Sequence, residues 1–486
     1  MITQIFSAAL FGIEGKLITV EASIVSGLSH FTIVGLPDSR IQESRDRVRS
    51  AIKQSGYQFP YNFRITINLA PSDVPKEGTG FDLPIALSIL HKQLQFNIPE
   101  DSVFIGELAL DGTVRSVRGI ISAIRSAYAA GKRSVFLPAG INTEEACLID
   151  NITIYPVTTL SECIEHLVGN KKINKKERLY KTSEPAEVFD DMSDIQGNAF
   201  AKRALLIAAT GKYHCLLSGP PGVGKTMLAK SFINILPPPT KSELLEISEI
   251  QSLIGNNNFQ FRPLRAPHHT AKSSAMLGRW VGRQFKPGEL TLAHHGVLFL
   301  DELPEFDRDV LEQLRQPIES KIINLARAEN SITVPANFIL IGTQNPCPCG
   351  FMGDLTRECL CTLQQKRMYA KKLSGPLIDR IPIHCEVTKT DDTYLIKGDK
   401  NQENSVWFRK KVILAQEFAA KRKHSTENIL EKNTKSFATD AAHKLKLSIR
   451  GFNQLLAVSR TIADLESSEK ILQVHIAEAL QYRKPL

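Results

Sequence analysis

The sequence predicts an α/β protein: a parallel sheet with helices on both faces, preceded by an α+β region and followed by helices. Three stretches carry that expectation. GPPGVGKT, Gly219 to Thr226, joins a short apolar run to a helical one. GVLFLDELPEF, Gly296 to Phe306, holds an apolar strand that closes on two acids. ILIGTQNP, Ile339 to Pro346, is a further apolar strand closing on a polar turn. Apolar strands that end in glycine-rich or polar loops, alternating with helices, read as a doubly wound sheet with its ligand at the carboxyl ends of the strands.

The elements follow in order. Leu17–Ala22, Phe31–Val34 and Phe63–Ile67 read as strands, and Arg40–Ser55, Leu83–His91 and Ser122–Ala130 as amphipathic helices, so residues 1–168 form an α+β domain. GNKKINKKERLYK then opens a polar, Lys-rich linker assigned to 169–189. Residues 190–390 are the α/β core. His214–Ser218 is a strand, Thr226–Leu236 the helix after it, stopped by Pro237, Pro238 and Pro239, and Val297–Leu300 and Phe338–Gly342 are buried strands. Residues 391–486 read as a helical domain with helices at Ser405–Lys423, Ser436–Leu447, Phe452–Leu465 and Ile471–Tyr482.

Bulk properties limit the function classes. A chain of 486 residues exceeds one compact core. No apolar run approaches the length of a membrane span, and the N-terminus carries Glu14 early with no basic leader, which points to a cytoplasmic protein with no membrane partner. The net charge of +9 suits an anionic partner such as nucleic acid, and equally suits a basic protein that binds none.

The first stretch is a phosphate cradle. Gly219, Gly222 and Gly224 let backbone N–H groups face phosphate oxygens, with Pro220, Pro221, Val223 and Met227 completing the nucleotide-binding segment. Lys225 brings a charge to the β- and γ-phosphates and Thr226 a hydroxyl to Mg²⁺. Asp301 would hold Mg²⁺ through water, and Glu302 would polarise the attacking water. Asn345 could orient water near the γ-phosphate, or simply form a turn before Pro346. Arg380, in SGPLIDRIP, is a candidate arginine finger toward a neighbouring subunit, or a partner of Asp379. Arg450, in SIRGFNQLL, could close over the phosphates from the C-terminal helices.

These five elements in this order resemble the AAA+ superfamily. NLAPSDVPKEGTGFDLPIAL, RAPHHT, PGELTLAHHGVLFLDELPEF, NPCPCG, SGPLIDRI and VSRTIADL together resemble the YifB/ComM family of magnesium-chelatase-like ATPases, over nearly the whole chain. The resemblance implies an AAA+ P-loop core with a C-terminal helical lid. It also implies a homo-hexameric ring with ATP between subunits and, for competence-linked members, a DNA motor for branch migration in homologous recombination, alongside other recombination proteins. Gln454 departs from the pattern, standing where many members carry Arg.

Residues 62–168 resemble the Lon protease fold, through PKEGTG and GELALDGTVRSVRGI. Gly80 stands where that family's Ser nucleophile would fall and Ile121 where its Lys would, so proteolysis by that mechanism is not expected. Arg40, Arg45, Arg47, Arg49 and Lys53 make one helix strongly basic, which suits DNA or a solvated face alike.

Four of the eight cysteines cluster: Cys347, Cys349, Cys359 and Cys361 form two C-x-C pairs within the insertion 347–361. In a reducing setting they suit structural Zn²⁺, the alternatives being a redox-sensitive knuckle or idle thiols. His268, His269, His294 and His295 read as loop hydrogen-bonding or ring-contact residues rather than a second metal site. Residues 322–334 read as a hairpin, which in related motors faces the pore, so Lys321 and Arg327 are candidate grips on a DNA backbone. Lys366–Lys372 and Lys421–Lys423 are further basic stretches. A DNA motor is the leading expectation. A chelatase-like motor acting on a protein partner and a non-enzymatic scaffold are the alternatives.

Overall fold

In the computed structural model, strand polarity and helix capping follow the local sequence closely. The structure describes residues 2–72, 76, 78–176, 190–255, 261–281, 284–327, 330–353, 357–389, 403–422 and 432–483. The chain forms two compact units. One comprises residues 1–182, 240–260 and 279–287, the other 183–239, 261–278 and 288–486. Two stretches of the segment expected to form the α/β core therefore fold with the N-terminal unit. Most of the expected linker, residues 177–189, lies outside the described residues.

In the first unit, Ile2–Phe11, Glu14–Ser26, Phe63–Ala70 and His30–Val34 form a sheet in that order. The first three run antiparallel and the last pairs parallel. The strand Ile2–Phe11 was not anticipated, and the one expected at Leu17–Ala22 is longer at both ends. The two pair in full register across a tight turn at Gly12, whose φ of 66° falls in the left-handed region. The helix Ser39–Gln54 is started by Asp38, whose side chain accepts from Ile41 N. It buries Ile41, Val48, Ala51 and Ile52. A parallel sheet of Ser102–Phe104, Ser134–Pro138 and Thr153–Val157 completes the unit. The helix Lys241–Ile254, opened by a capping box on Thr240 and Glu243, belongs here too. Its Glu249 accepts from Ser122 and Arg125, and its Lys241 bonds Asp150.

The basic helix is neither a free solvated face nor an open cationic surface throughout. Arg47 Nε donates at 2.7 Å to Asp82, a fully buried carboxylate that also takes a short bond from Ser44 and one from Leu108 N. Arg49 lies over the Phe59 ring and Lys53 over Tyr61.

In the second unit five strands stand in the order Leu264–Arg265, Val297–Leu300, Ile339–Gln344, Cys215–Ser218, Ile383–Glu386. Every pairing is parallel. Near-continuous apolar runs fit strands buried on both faces. The C-terminal helices Ser405–Lys421, Lys432–Lys444, Ile449–Leu465 and Gln473–Gln481 follow the expectation closely. They share the sheet's core: Phe408, Val412, Leu455, Val458, Ile462 and Ile476 pack in one cluster with Cys215, Leu217, Phe232 and Ile341.

Candidate active site

The phosphate loop is built by its neighbours. The strand Cys215–Ser218 ends beside Gln344, whose carbonyl accepts from Gly219 N at 3.2 Å. Gly222 and Gly224 take φ of 80° and 88°, which a side chain would disfavour, and the helix Lys225–Ile235 starts directly behind them. A helix N-terminus facing a turn of backbone amides is an anion site. Val223 packs on the core and Met227 is exposed.

Lys225 lies folded into this loop. Its Nζ donates to Gly219 O at 2.5 Å, Pro220 O at 2.8 Å and Asn345 Oδ1 at 3.1 Å. Burial lowers its pKa from the usual lysine value, while Asp301 and Glu302 pull it the other way. The three acceptors hold the ammonium where a polyphosphate would be cradled, and a phosphate oxygen is a stronger partner than a carbonyl.

The acids lie at the end of Val297–Leu300. Parallel register sets Leu300 beside Gly342, which brings Thr343 to Asp301. Thr343, fully buried, donates to Asp301 Oδ1 at 2.5 Å and accepts from Glu302 N at 2.9 Å. Thr226 donates to Asp301 Oδ2 at 3.2 Å. Thr343 is a site residue the sequence reading missed. The signal was its place in ILIGTQNP, but only the strand register pairs it with the acids. Glu302 itself sits at φ 51°, ψ 52°, a left-handed backbone that lifts its exposed side chain off the strand end.

The donor set fits Mg²⁺. Thr226 Oγ1 and Asp301 Oδ2 face each other at 3.2 Å, so the hydroxyl would bind Mg²⁺ and the carboxylate would hold one of its waters. The metal would supply charge neutralisation at the β- and γ-phosphates. Lys225, Thr226, Asp301, Glu302 and Asn345 are therefore brought together.

Arg380 and Arg450 meet elsewhere in the same unit, on Glu319. Arg380 Nη2 donates to Glu319 Oε2 at 2.8 Å, and Arg450 bonds Oε1 of the same carboxylate in a short contact. Arg380 also donates to Pro376 O at 2.6 Å. The bond from Arg380, with the charge of both arginines, holds the Glu319 pKa below its ordinary value. The ion pair weighed for Arg380 is thus present, with Glu319 in the role considered for Asp379. Gln454 accepts from Arg483 in a short bond.

The cysteines also converge. Their four Sγ atoms lie within 4.8 Å of one another, with Cys347 buried and the other three half-buried. Residues 354–356 of the intervening loop are outside the described residues. The histidines serve loops in part: His268 Nδ1 bonds Thr270, and His294 Nδ1 accepts from Asn337 N. Lys321 and Arg327 are not brought together. Lys321 sits exposed at the base of the hairpin Ile322–Arg327/Asn330–Pro335, and Arg327 at its far end. The Arg327 side chain lies outside the described residues. In the basic stretch 366–372, Lys372 is paired with Glu305, both side chains being substantially exposed. Lys423 lies outside the described residues.

Comparison with known proteins agrees with this geometry. Family models match residues 191–395 (magnesium chelatase, subunit ChlI), 20–141 (subunit ChlI of Mg-chelatase) and 402–483 (magnesium chelatase, subunit ChlI C-terminal). The chain is 41% identical to competence protein ComM of Haemophilus influenzae, over 99% of this chain and 97% of the relative. It is 39% identical to the uncharacterized protein YifB of Escherichia coli, over 99% and 96%. The chain belongs to the YifB/ComM family of magnesium-chelatase-like AAA+ ATPases. A weaker likeness joins it to the Lon protease of Buchnera aphidicola, 26% identical over 35% of this chain and 23% of that one. The AAA+ core, the Lon-like N-terminal region and the helical C-terminal part all stand. Membership supports an ATPase motor that uses ATP and Mg²⁺. Among the described residues no helix is long and apolar enough to cross a membrane.

Proposed function

We propose that this chain is an ATP-driven, ring-forming DNA motor of the helicase or branch-migration type, acting in homologous recombination and natural transformation. The observation that carries the reading is the joined set Lys225–Asn345 and Thr226–Asp301–Thr343–Glu302, which groups within one chain a phosphate-binding lysine, oxygen donors for Mg²⁺ and a carboxylate for water. The name of the Haemophilus influenzae relative, a competence protein, supplies the biological direction.

In this reading the phosphate loop, Gly219 to Met227, holds Mg-ATP with Thr226 and Asp301. Glu302 activates water, and Asn345 and Arg450 sense the γ-phosphate. Arg380 reaches the nucleotide of the next subunit in a homo-hexameric cytoplasmic ring. Loss of the γ-phosphate changes what these groups grip and shifts the helices that share the core with the sheet. Lys321 and Arg327, on the pore-facing hairpin, grip the phosphate backbone of single-stranded or branched DNA without reading sequence. The Lon-like region is proteolytically inactive: Gly80 offers no nucleophile, and Ile121 is fully buried. The four cysteines hold structural Zn²⁺.

ATP hydrolysis by the wild type and by Glu302→Gln, with and without single-stranded and branched DNA, tests this. DNA should accelerate wild-type turnover, and the substitution should lower kcat by at least about 100-fold. If DNA neither binds nor accelerates turnover, the DNA motor is wrong. A chelatase-like motor acting on a protein partner then replaces it, a reading that the family descriptions favour.

A further inference from the structure

The cysteine cluster is more than a local staple, because its two ends are seated on the nucleotide machinery. Cys347 Sγ lies 3.4 Å from Cys349 Sγ and 3.6 Å from Cys359 Sγ, and Cys349 Sγ lies 3.6 Å from Cys359 Sγ. A disulfide needs about 2.05 Å, so these are not bonded pairs. Four thiolates on one tetrahedral Zn²⁺ lie about 3.8 Å apart, which follows from a Zn–S bond of about 2.3 Å. The cluster matches that spacing. A buried Cys347 and three half-buried partners resemble a closed structural site with no open position.

The seat is formed by three residues. Asn345, two positions before Cys347, accepts from Lys225 Nζ at 3.1 Å. Gly350, between the two cysteine pairs, has φ 83° and lies against Pro221 of the phosphate loop. A Cβ added there would come within 2.7 Å of the Pro221 ring. After the second pair, the helix Leu363–Ala370 is opened by a capping box on Thr362 and Gln365 and carries Tyr369, which is 9% exposed. The Tyr369 hydroxyl shares a hydrogen bond with the Asn345 backbone. The segment therefore meets the phosphate loop at Asn345, through Lys225, and at Gly350, against Pro221. With only three residues in each C-x-C pair and a loop between them, it has little apolar core of its own, and a metal is the usual remedy for such small modules.

We propose that Zn²⁺ bound by Cys347, Cys349, Cys359 and Cys361 acts as a positioning device for ATP turnover, clamping Asn345 and Gly350 against Lys225 and Pro221. The inference rests on the ATPase reading above but not on DNA as the substrate. Asn345, Gly350 and Pro221 transmit the effect of Zn²⁺, and loss of the metal loosens the acceptor that orients Lys225.

The test uses the full-length protein purified under reducing conditions. Bound zinc is counted per chain, and ATP KM and kcat are measured with Mg²⁺ in excess, before and after removal of zinc by a thiol-reactive mercurial with metallochromic readout. Cys359→Ser and Cys361→Ser are measured alongside, as is Gly350→Ala, which keeps all four thiols but breaks the seat on Pro221. One zinc per chain is expected in the wild type and in Gly350→Ala, with loss of zinc in the cysteine variants. All three variants should lose about tenfold or more in kcat with a smaller change in KM, and circular dichroism should show the rest of the fold intact. Wild-type protein without zinc overturns the site. Zinc whose loss lowers only the melting temperature, with kcat unchanged in every variant, overturns the coupling. A wild type that holds zinc but does not hydrolyse ATP refutes the ATPase reading itself, and with it this inference, while leaving the metal site in place.

Discussion

Arg380 and Arg450 are bound to opposite oxygens of a single carboxylate, that of Glu319. Two guanidinium groups, one proposed to act on the neighbouring subunit's nucleotide and one on the chain's own, thus share an anion that a triphosphate must replace. Glu319 is 42% exposed, so each pair is worth roughly 0.5–1 kcal/mol, about two- to fivefold in an equilibrium. Glu319→Gln keeps the shape and removes the charge, and it should lower the KM for ATP about two- to fivefold. Arg380→Ala should instead lower kcat by about 10³-fold with little change in nucleotide binding. Steady-state kinetics on the assembled protein separates the two, and an unchanged kcat in Arg380→Ala removes it from the reaction.

Thr343 carries the second prediction. It joins Asp301 to the Glu302 backbone, and Val at this position is of similar size but cannot do so. The Glu302 amide would lose its Thr343 partner, a loss of about 1 kcal/mol. Thr343→Val should reduce kcat about 10- to 100-fold while ATP affinity, measured by a fluorescent analogue, stays within a few-fold. Thr343→Ser should recover most of the activity. Full activity in Thr343→Val with loss in Thr343→Ser would mean that the methyl group, not the hydroxyl, matters.

The ion pair of Arg47 with the fully buried Asp82 predicts a large stability effect in the N-terminal unit. Removing one partner leaves an uncompensated charge inside, costing about 3–5 kcal/mol. Arg47→Ala should therefore show a markedly lower urea midpoint for the N-terminal unit. The double variant Arg47→Leu/Asp82→Leu should regain much of the loss.

Two histidines of the second unit predict its response to acid. His214 Nδ1 accepts from Leu340 N, and His384 bonds Ile381 O. Desolvation holds both near a pKa of about 4, below the ordinary 6.5, and the Lys321 charge adds to the effect at His214. Between those values the unfolded chain takes up protons that the folded chain refuses. Stability should be level above pH 6.5 and fall as pH drops toward 4, by up to about 1.4 kcal/mol per pH unit per ring. Melting temperatures from pH 7.5 to 4.5 check this, and His214→Gln should show a shallower decline.

What the sequence revealed depends on how local each feature is. Val297–Leu300 and the helix after the phosphate loop were legible because an apolar run or a run of prolines marks them without help from elsewhere. The adjacent pairs in GKT and LDE were legible for the same reason. Thr343 was not, since its meaning depends on parallel register between strands about forty residues apart. Glu319 was hidden because it serves two arginines about seventy residues apart in the chain, one in a turn and one on a helix. The strand Ile2–Phe11 was missed because ITQIFSAALF alternates poorly, and it is recognisable only beside its hairpin partner. The role of Arg47 was hidden by its charged neighbours, which a helix pattern alone cannot sort into inward and outward.

The polypeptide passes between its two units five times, at 183, 240, 261, 279 and 288. No single cut can release either unit with its chain complete. A truncation after the Lon-like region strands the helix Lys241–Ile254 without its partners Ser122, Arg125 and Asp150, and takes that helix from the fragment left behind. Splitting the gene at the boundary its sequence suggests should yield two insoluble halves. The interlacing makes the Lon-like portion and the ATPase heritable only as one piece.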